Sequence, residues 1–424
     1  MKLKGLAAAL LLATGTVWAQ PHIQIRFEAG SQRAFLEADP LPTRLAAMLN
    51  RQIQLPRDLP IVYRDDRAVN AWYSPNNHSI TVSYRLAEVL RGQMEAESAR
   101  GAMDFILMHE LGHALIGELD LPQVGSEENA ADEFTTLVCA QALGEEGRRV
   151  ALAGARAFWL LGDGQYNLAA LPFYDEHRLE RQRFYTILAN LGAADPALRP
   201  SLAPIVPYTR LREAQESYPG KVDRWQRLLA GSVETVAPGS GKLKIQAIAP
   251  LPLARLAGIL ERSYRLPRDW VVEQRDARTQ FLPLSGYLVY AAGASAEDFL
   301  LAFCYGLISD LKLPYTGELG DAAAELAAVL MAGRSDLRPL ARSALARYEQ
   351  LGRAHKSVLD VQYWDATAQP EQRYFQMLGY LYCQDPAGYP EARTRIPAKR
   401  LRSIGFEYPR KKRNWARLLS PYQR

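Results

Sequence analysis

The chain holds six histidines, and two of them stand four residues apart with a glutamate between, in His109-Glu110-Leu111-Gly112-His113. The surrounding run from Phe105 to Ile116 is apolar, so the segment reads as a buried helix, on which positions i and i+4 share a face. Both imidazoles can then reach one metal ion, while Glu110, one position round, reaches the ion's open side. Neutral imidazole suits zinc, and three protein ligands leave a fourth position for water, whose pKa the ion lowers to about 7. His109 and His113 are therefore candidate metal ligands, and Glu110 a candidate general base that takes the water's proton. The chemistry implied is metal-assisted hydrolysis. With so few histidines, such a pentapeptide arises by chance at a rate on the order of one per cent or less.

A third ligand has to come from elsewhere in the chain. Metzincins carry a further histidine six residues after the second, and here that position is Leu119. Beyond His113 the histidines are His177 and His355, so a nearby third ligand should be a carboxylate. Ser126-Glu127-Glu128-Asn129-Ala130-Ala131-Asp132-Glu133 supplies candidates: Ser126 is an N-cap residue, and Glu128 and Asp132 share one face of the helix that follows. In gluzincins such as thermolysin, the zinc-binding glutamate is followed four residues later by an aspartate that fixes a ligand histidine, and Glu128 with Asp132 resembles that pairing. The resemblance implies Glu128 as third ligand and Asp132 as acceptor for a ligand histidine's other N–H. Glu127 and Asp132 remain alternatives for the third ligand. Acids in a first helical turn also complement the helix dipole, which accounts for Glu127 better than for Glu128.

The elements that must hold these residues occur twice. Leu55-Pro56-Arg57-Asp58 recurs as Leu266-Pro267-Arg268-Asp269, Leu119-Asp120-Leu121-Pro122 as Leu311-Lys312-Leu313-Pro314, and Gln182-Arg183-Phe184 as Gln372-Arg373-Tyr374. Tyr218-Pro219 with Trp225 recurs as Tyr408-Pro409 with Trp415. The chain reads as a tandem duplication, divided into a leader at 1–19, a first domain at 20–230, a linker at 231–241 and a second domain at 242–424. Residues kept in both halves should serve the fold, and residues confined to one half should serve chemistry. By that rule Gln182, Arg183 and Glu133, retained as Gln372, Arg373 and Glu325, are scaffold. Opposite the pentapeptide stands Leu301-Ala302-Phe303-Cys304-Tyr305-Gly306-Leu307, which has no histidine, so the second domain is a degenerate repeat without metal ligands. With roughly 180 residues it is long enough to bury a core of its own and is expected to fold alone. His177 falls opposite Thr367, tracks with the ligands, and is a candidate for stabilising a developing oxyanion.

Lys2 and Lys4, the apolar run Leu6 to Ala13 and Val17-Trp18-Ala19 read as a cleaved secretory signal. That places the mature protein in the periplasm or outside the cell, with no segment long and apolar enough to span a membrane. Losing Lys2 and Lys4 takes the formal net charge from +5 to +3, which gives no argument for a nucleic-acid partner. Cys139, Cys304 and Cys383 form neither a disulfide framework nor a paired metal motif and read mainly as free thiols. The composition carries no reading of oligomeric state.

Each half is expected to be α+β, a small sheet packed on helices with the motif helix at the centre. Ile61-Val62-Tyr63 and Ile80 to Tyr84 read as strands, and Thr43–Gln52, Gly147–Leu160 and His177–Leu191 as helices. The Ile80 strand, which precedes the motif helix, is expected at the sheet edge, where an extended peptide would pair. Asn70-Ala71-Trp72-Tyr73, the Ile80 strand, His109 to Leu115, Glu128 to Asp132, and Asp175-Glu176-His177 with Gln182-Arg183 together resemble a family of secreted bacterial metallopeptidases catalogued as a domain of unknown function. The resemblance covers most of the first half and implies a gluzincin-like fold, Zn2+ and a peptide or protein substrate of undefined sequence. Two other readings use the same residues. One is a periplasmic binding or scaffold protein with a structural or vestigial zinc site, the other an amidase acting on cell-wall peptides.

Overall fold

The computed structural model describes residues 22–162, 167–175, 179–231, 236–246, 251–365 and 367–424. The expected leader, His177 and part of the expected linker lie outside the described residues. In the first half, β1 (Ile23–Phe27), β2 (Leu59–Arg64), β3 (Ala71–Ser74) and β4 (Ser79–Ser83) form one sheet of order β1-β2-β4-β3. β1, β2 and β4 run parallel, and β3 returns antiparallel to β4. The period-two alternation decides which face is covered: Leu59, Ile61 and Tyr63 are buried, while Pro60, Val62 and Arg64 are half-buried.

Helices cover that face. They are α1 (Leu41–Gln52), α2 (Tyr84–Gln93), the motif helix α3 (Ala96–Glu118), α4 (Glu127–Ala142), α5 (Gly144–Leu161), α6 (Glu180–Ala194) and α7 (Tyr208–Leu229). From Phe105 to Ile116 α3 is buried almost all the way round, with the half-exposed Ile106 and His113 as the exceptions, as expected of a helix enclosed by other elements. Its polar residues are thereby desolvated, so the histidine pair is costly unless its ring nitrogens find partners.

The second half repeats the plan. β5 (Leu243–Ile245), α8 (Leu251–Ser263), β6 (Trp270–Gln274), β7 (Gln280–Leu282) and β8 (Tyr287–Tyr290) give a sheet of order β5-β6-β8-β7 with the same directions. α9 (Ala296–Asp310), α10 (Leu319–Gly333), α11 (Leu340–Gly352), α12 (Pro370–Gln384) and α13 (Ala398–Leu419) follow, and among the described residues α2 has no counterpart. The match extends to backbone detail. Asp120 and Lys312 share left-handed φ values of 45° and 51°, Gly125 and Gly317 share 85° and 70°, and Pro219 and Pro409 each sit inside a helix. The fold is α+β, built twice.

One expectation needs correcting. The Ile80 strand is not an edge, since β4 lies between β2 and β3, and the edge is β3. The reason is the turn at Ser74-Pro75-Asn76-Asn77, which folds a further strand back antiparallel onto β4 and caps it. Each half has its own main core, and the two meet at a buried seam. Val124 of the first half is buried within the second half's core, and its carbonyl accepts from Thr316 N at 3.1 Å. Gln123 Nε2 donates to Thr316 Oγ1 at 2.8 Å, Asn414 Nδ2 to Gln123 O at 2.8 Å, and Gly125 N to Glu325 Oε1 at 3.0 Å. Lys411 Nζ, buried, donates to Gln123 Oε1 at 2.6 Å and to Gly125 O.

Candidate metal centre

α3 and α4 meet at their closest where Gly112 faces Ala131. A Cβ on Gly112 would stand 3.0 Å from Ala131 Cα, so glycine lets the helices approach within the reach of short side chains. Ser126 starts α4 by accepting from Asn129 N at 3.2 Å, which sets Glu127 and Glu128 in its first turn. The geometry then follows. His109 Nε2 lies 3.1 Å from His113 Nε2 and 3.1 Å from Glu128 Oε2, and His113 Nε2 lies 3.3 Å from Glu128 Oε1. One ligand atom from each of His109, His113 and Glu128 falls within 4.8 Å of the others, and among the described residues no second group of this kind occurs.

The other ring nitrogens face carboxylates. His109 Nδ1 is 2.8 Å from Asp132 Oδ1, and His113 Nδ1 is 2.9 Å from Glu127 Oε1. Those contacts assign the ring protons to Nδ1 in both residues, which leaves both Nε2 atoms as lone pairs. Two imidazole lone pairs and a carboxylate then converge on one small region, an arrangement that repels itself unless a cation stands between. The donor set, two nitrogens and one oxygen with each histidine backed by an acid, therefore fits a divalent ion such as zinc. Glu127 and Asp132, the alternative third ligands, are placed behind the histidines and Glu128 in front of them.

Asp132 is held further. Arg183 Nε donates to its Oδ2 at 2.9 Å and Arg183 Nη2 to its Oδ1 at 2.8 Å, while Arg183 Nη2 also lies 3.4 Å from His109 Nδ1. The guanidinium stacks over Phe158 at 3.7 Å from the ring centre. Burial alone would raise the Asp132 pKa, but the charges and hydrogen bonds of Arg183 and His109 hold it well below the usual carboxylate range. Arg183 is thus more than scaffold. Its counterpart Arg373 reaches Asp321 Oδ1 at 3.2 Å in the half that lacks the histidines, so the arginine holds a helix in both halves, but Asp321 stands at the position of Asn129 and Ala324 at that of Asp132, and only in the first half does the arginine's partner reach a histidine.

Glu110 lines a cavity of about 620 Å³, and its Oε2 accepts from Tyr73 N on β3 at 2.8 Å. That N–H points outward because Tyr73 faces Ile80 across a pair that exchanges no ladder bonds, the neighbouring Asn70 and Ser83 being the bonded pair. The same cavity is lined by His113 and Glu128, by Trp72 and Tyr73 of the edge strand, and by residues of α12 and α13, among them Arg400, Phe406, Arg410 and Arg413. It therefore lies between the halves. Tyr174 and Asp175 also line it, whereas His177 itself lies outside the described residues.

In the second half the offset that carries Leu119 to Leu311 puts Leu301, Ala302 and Tyr305 where His109, Glu110 and His113 stand, with Phe303 and Cys304 fully buried between them. All three cysteines are free, Cys139 and Cys304 buried and Cys383 half-buried. No helix among the described residues is long and apolar enough to cross a membrane. No curated protein and no solved structure is detectably similar to the chain. The profile of a family described as "Putative metallopeptidase" matches residues 26–229 and 272–419, so both halves are covered, and the chain belongs to that family.

Proposed function

We propose that the protein is a zinc-dependent peptidase acting in the periplasm or outside the cell, with His109, His113 and Glu128 as the metal ligands. The observation that carries this reading is the convergence of those three acceptors while both Nδ1 positions are taken by carboxylates. A zinc ion held there supplies Lewis acidity toward a substrate carbonyl and an attacking water. Glu110 takes the water's proton and passes it to the leaving amine, its position fixed by the Tyr73 N–H on one oxygen. The substrate lies extended along β3, whose Ala71 and Tyr73 turn their carbonyls outward from the sheet while the Tyr73 N–H stays on Glu110, and the cavity between the halves receives its side chains. His177 is the candidate donor to the developing oxyanion, a role supported by its absence from the half that lacks ligands.

The test is zinc content of the purified chain coupled to a cleavage profile on a proteome-derived peptide library. One equivalent of zinc with chelator-sensitive peptide cleavage is expected. Bound zinc without turnover on any peptide would favour the binding or scaffold reading, and cleavage restricted to cell-wall peptides would favour an amidase.

A further inference from the structure

The duplication gives a second comparison, between residues that face each other across the cavity. In the first half the metal centre is rimmed by Glu127, Glu128 and Asp132; the offset from Gly125 to Gly317 replaces them with Leu319, Gly320 and Ala324 in the second. On the helix packed against each rim the asymmetry runs the other way. Tyr408-Pro409-Arg410-Lys411 of α13 corresponds to Tyr218-Pro219-Gly220-Lys221 of α7. α13 faces the first half's rim, while α7 faces the second half's, with Lys221 Nζ 3.1 Å from Glu318 Oε1 and Arg224 over the Tyr315 ring. Tyrosine, proline and lysine are common to both helices and belong to the packing. At the position between proline and lysine, arginine stands on the helix that faces metal ligands and glycine on the helix that faces none.

The contact is specific. Arg410 Nη2 donates to Glu127 Oε2, and Glu127 Oε1 in turn accepts from His113 Nδ1 at 2.9 Å. This repeats, across the boundary between the halves, the relay Arg183 to Asp132 to His109 that the first half builds from its own residues. A carboxylate gripped by a guanidinium is kept ionised and fixed in direction, which holds the imidazole tautomer and aims its Nε2 lone pair. Without Arg410, Glu127, at 19% side-chain exposure and at the first position of α4, is free to turn toward solvent.

We propose that Arg410 is a positioning residue for the metal centre: by holding Glu127 on His113 Nδ1, the ligand-free second half sets the metal affinity of the first. This rests on the metal reading proposed above and assigns the repeat a definite task. The test uses the full chain and zinc, with affinity read by competition against a fluorescent chelator and folding followed by thermal unfolding of the metal-free protein. Arg410→Ala and Arg410→Gln should weaken zinc binding roughly 10- to 100-fold, the range found when partners behind metal ligands are removed. Arg410→Lys should restore part of it, and Lys412→Ala, on the exposed side of the same helix, should leave it unchanged. In a Glu127→Gln background, Arg410→Ala should add less than a further twofold, because the arginine acts through that carboxylate. Affinity within twofold of the parent in Arg410→Ala, or losses that multiply in the double variant, would overturn the proposal while leaving the ligand assignment standing. A parent chain that binds no zinc would remove the metal reading and the proposal with it.

Discussion

Replacing Asp132 by alanine removes both oxygens at a point where three donors meet. In the parent protein Arg183 delivers two hydrogen bonds to the carboxylate, at 2.9 and 2.8 Å, and His109 Nδ1 delivers a third at 2.8 Å. Alanine accepts none of these, so the guanidinium and the imidazole N–H both lose their acceptor. Arg183 and Asp132 are 7% and 5% exposed at their side chains, so no water screens the loss. Two effects follow and can be separated. Leaving a buried arginine unpaired costs roughly 3 kcal/mol or more of folding free energy, the low end of what breaking a buried ion pair costs. Loss of the acceptor behind His109 weakens zinc binding about 10- to 100-fold, or about 1.4 to 2.8 kcal/mol. Urea unfolding of the metal-free variant reads the first, and chelator competition reads the second. A variant with parental zinc affinity would refute the placement of Asp132 behind a ligand histidine, and one with parental stability would refute the buried pair.

Three other outcomes follow from separate parts of the molecule. Burial, with Asp39 beside it, pushes the Asp104 carboxyl well above its ordinary pKa, so its stabilising neutral form is complete below about pH 4 and is lost as pH rises through the raised value; Asp104→Asn should therefore raise the melting temperature at pH 8 and lose that advantage toward pH 4, and a variant no more stable at pH 8 contradicts this. Lys411→Met leaves Glu325, 3.6 Å away and buried, without its cation and should cost about 3 to 5 kcal/mol in urea unfolding; a cost below 1 kcal/mol would contradict the buried pair. His177→Ala should retain zinc and lose about 100- to 1,000-fold in kcat if the residue donates to the oxyanion, and an unchanged kcat removes it from the mechanism.

The local half of the centre was readable because helical spacing is local: i, i+4 fixes His109 against His113, and Glu128 against Asp132, once each run is taken as a helix. The approach of α3 to α4 left only a weak trace, Gly112 opposite Ala131, and a glycine in a helix has many explanations. Comparison of equivalent positions finds which residues one half lacks, and it sets Arg183 aside because Arg373 survives; it cannot show that the arginine grips a different acid in each half, Asp321 in one and the histidine's acceptor Asp132 in the other. Arg410 escaped for a different reason. The comparison matched position with position along the two repeats, whereas the cavity matches a helix of one repeat with the rim of the other, 283 residues away. The edge of the sheet was misplaced because Ala71 to Ser74 is too short a strand to announce itself without its partner, although the aromatic pair Trp72-Tyr73 before a Pro-Asn turn was a usable sign.

In the mechanism proposed above Glu110 moves the proton and does not hold the metal. Glu110→Gln keeps an oxygen for the Tyr73 N–H, now 2.8 Å away, so the side chain should stay in place. The decisive measurement is turnover of this variant on a peptide the parent cleaves, made on protein whose zinc content is determined in the same sample. One equivalent of zinc with kcat reduced by roughly three decades is the predicted result. Parental turnover, or loss of zinc together with turnover, would contradict it.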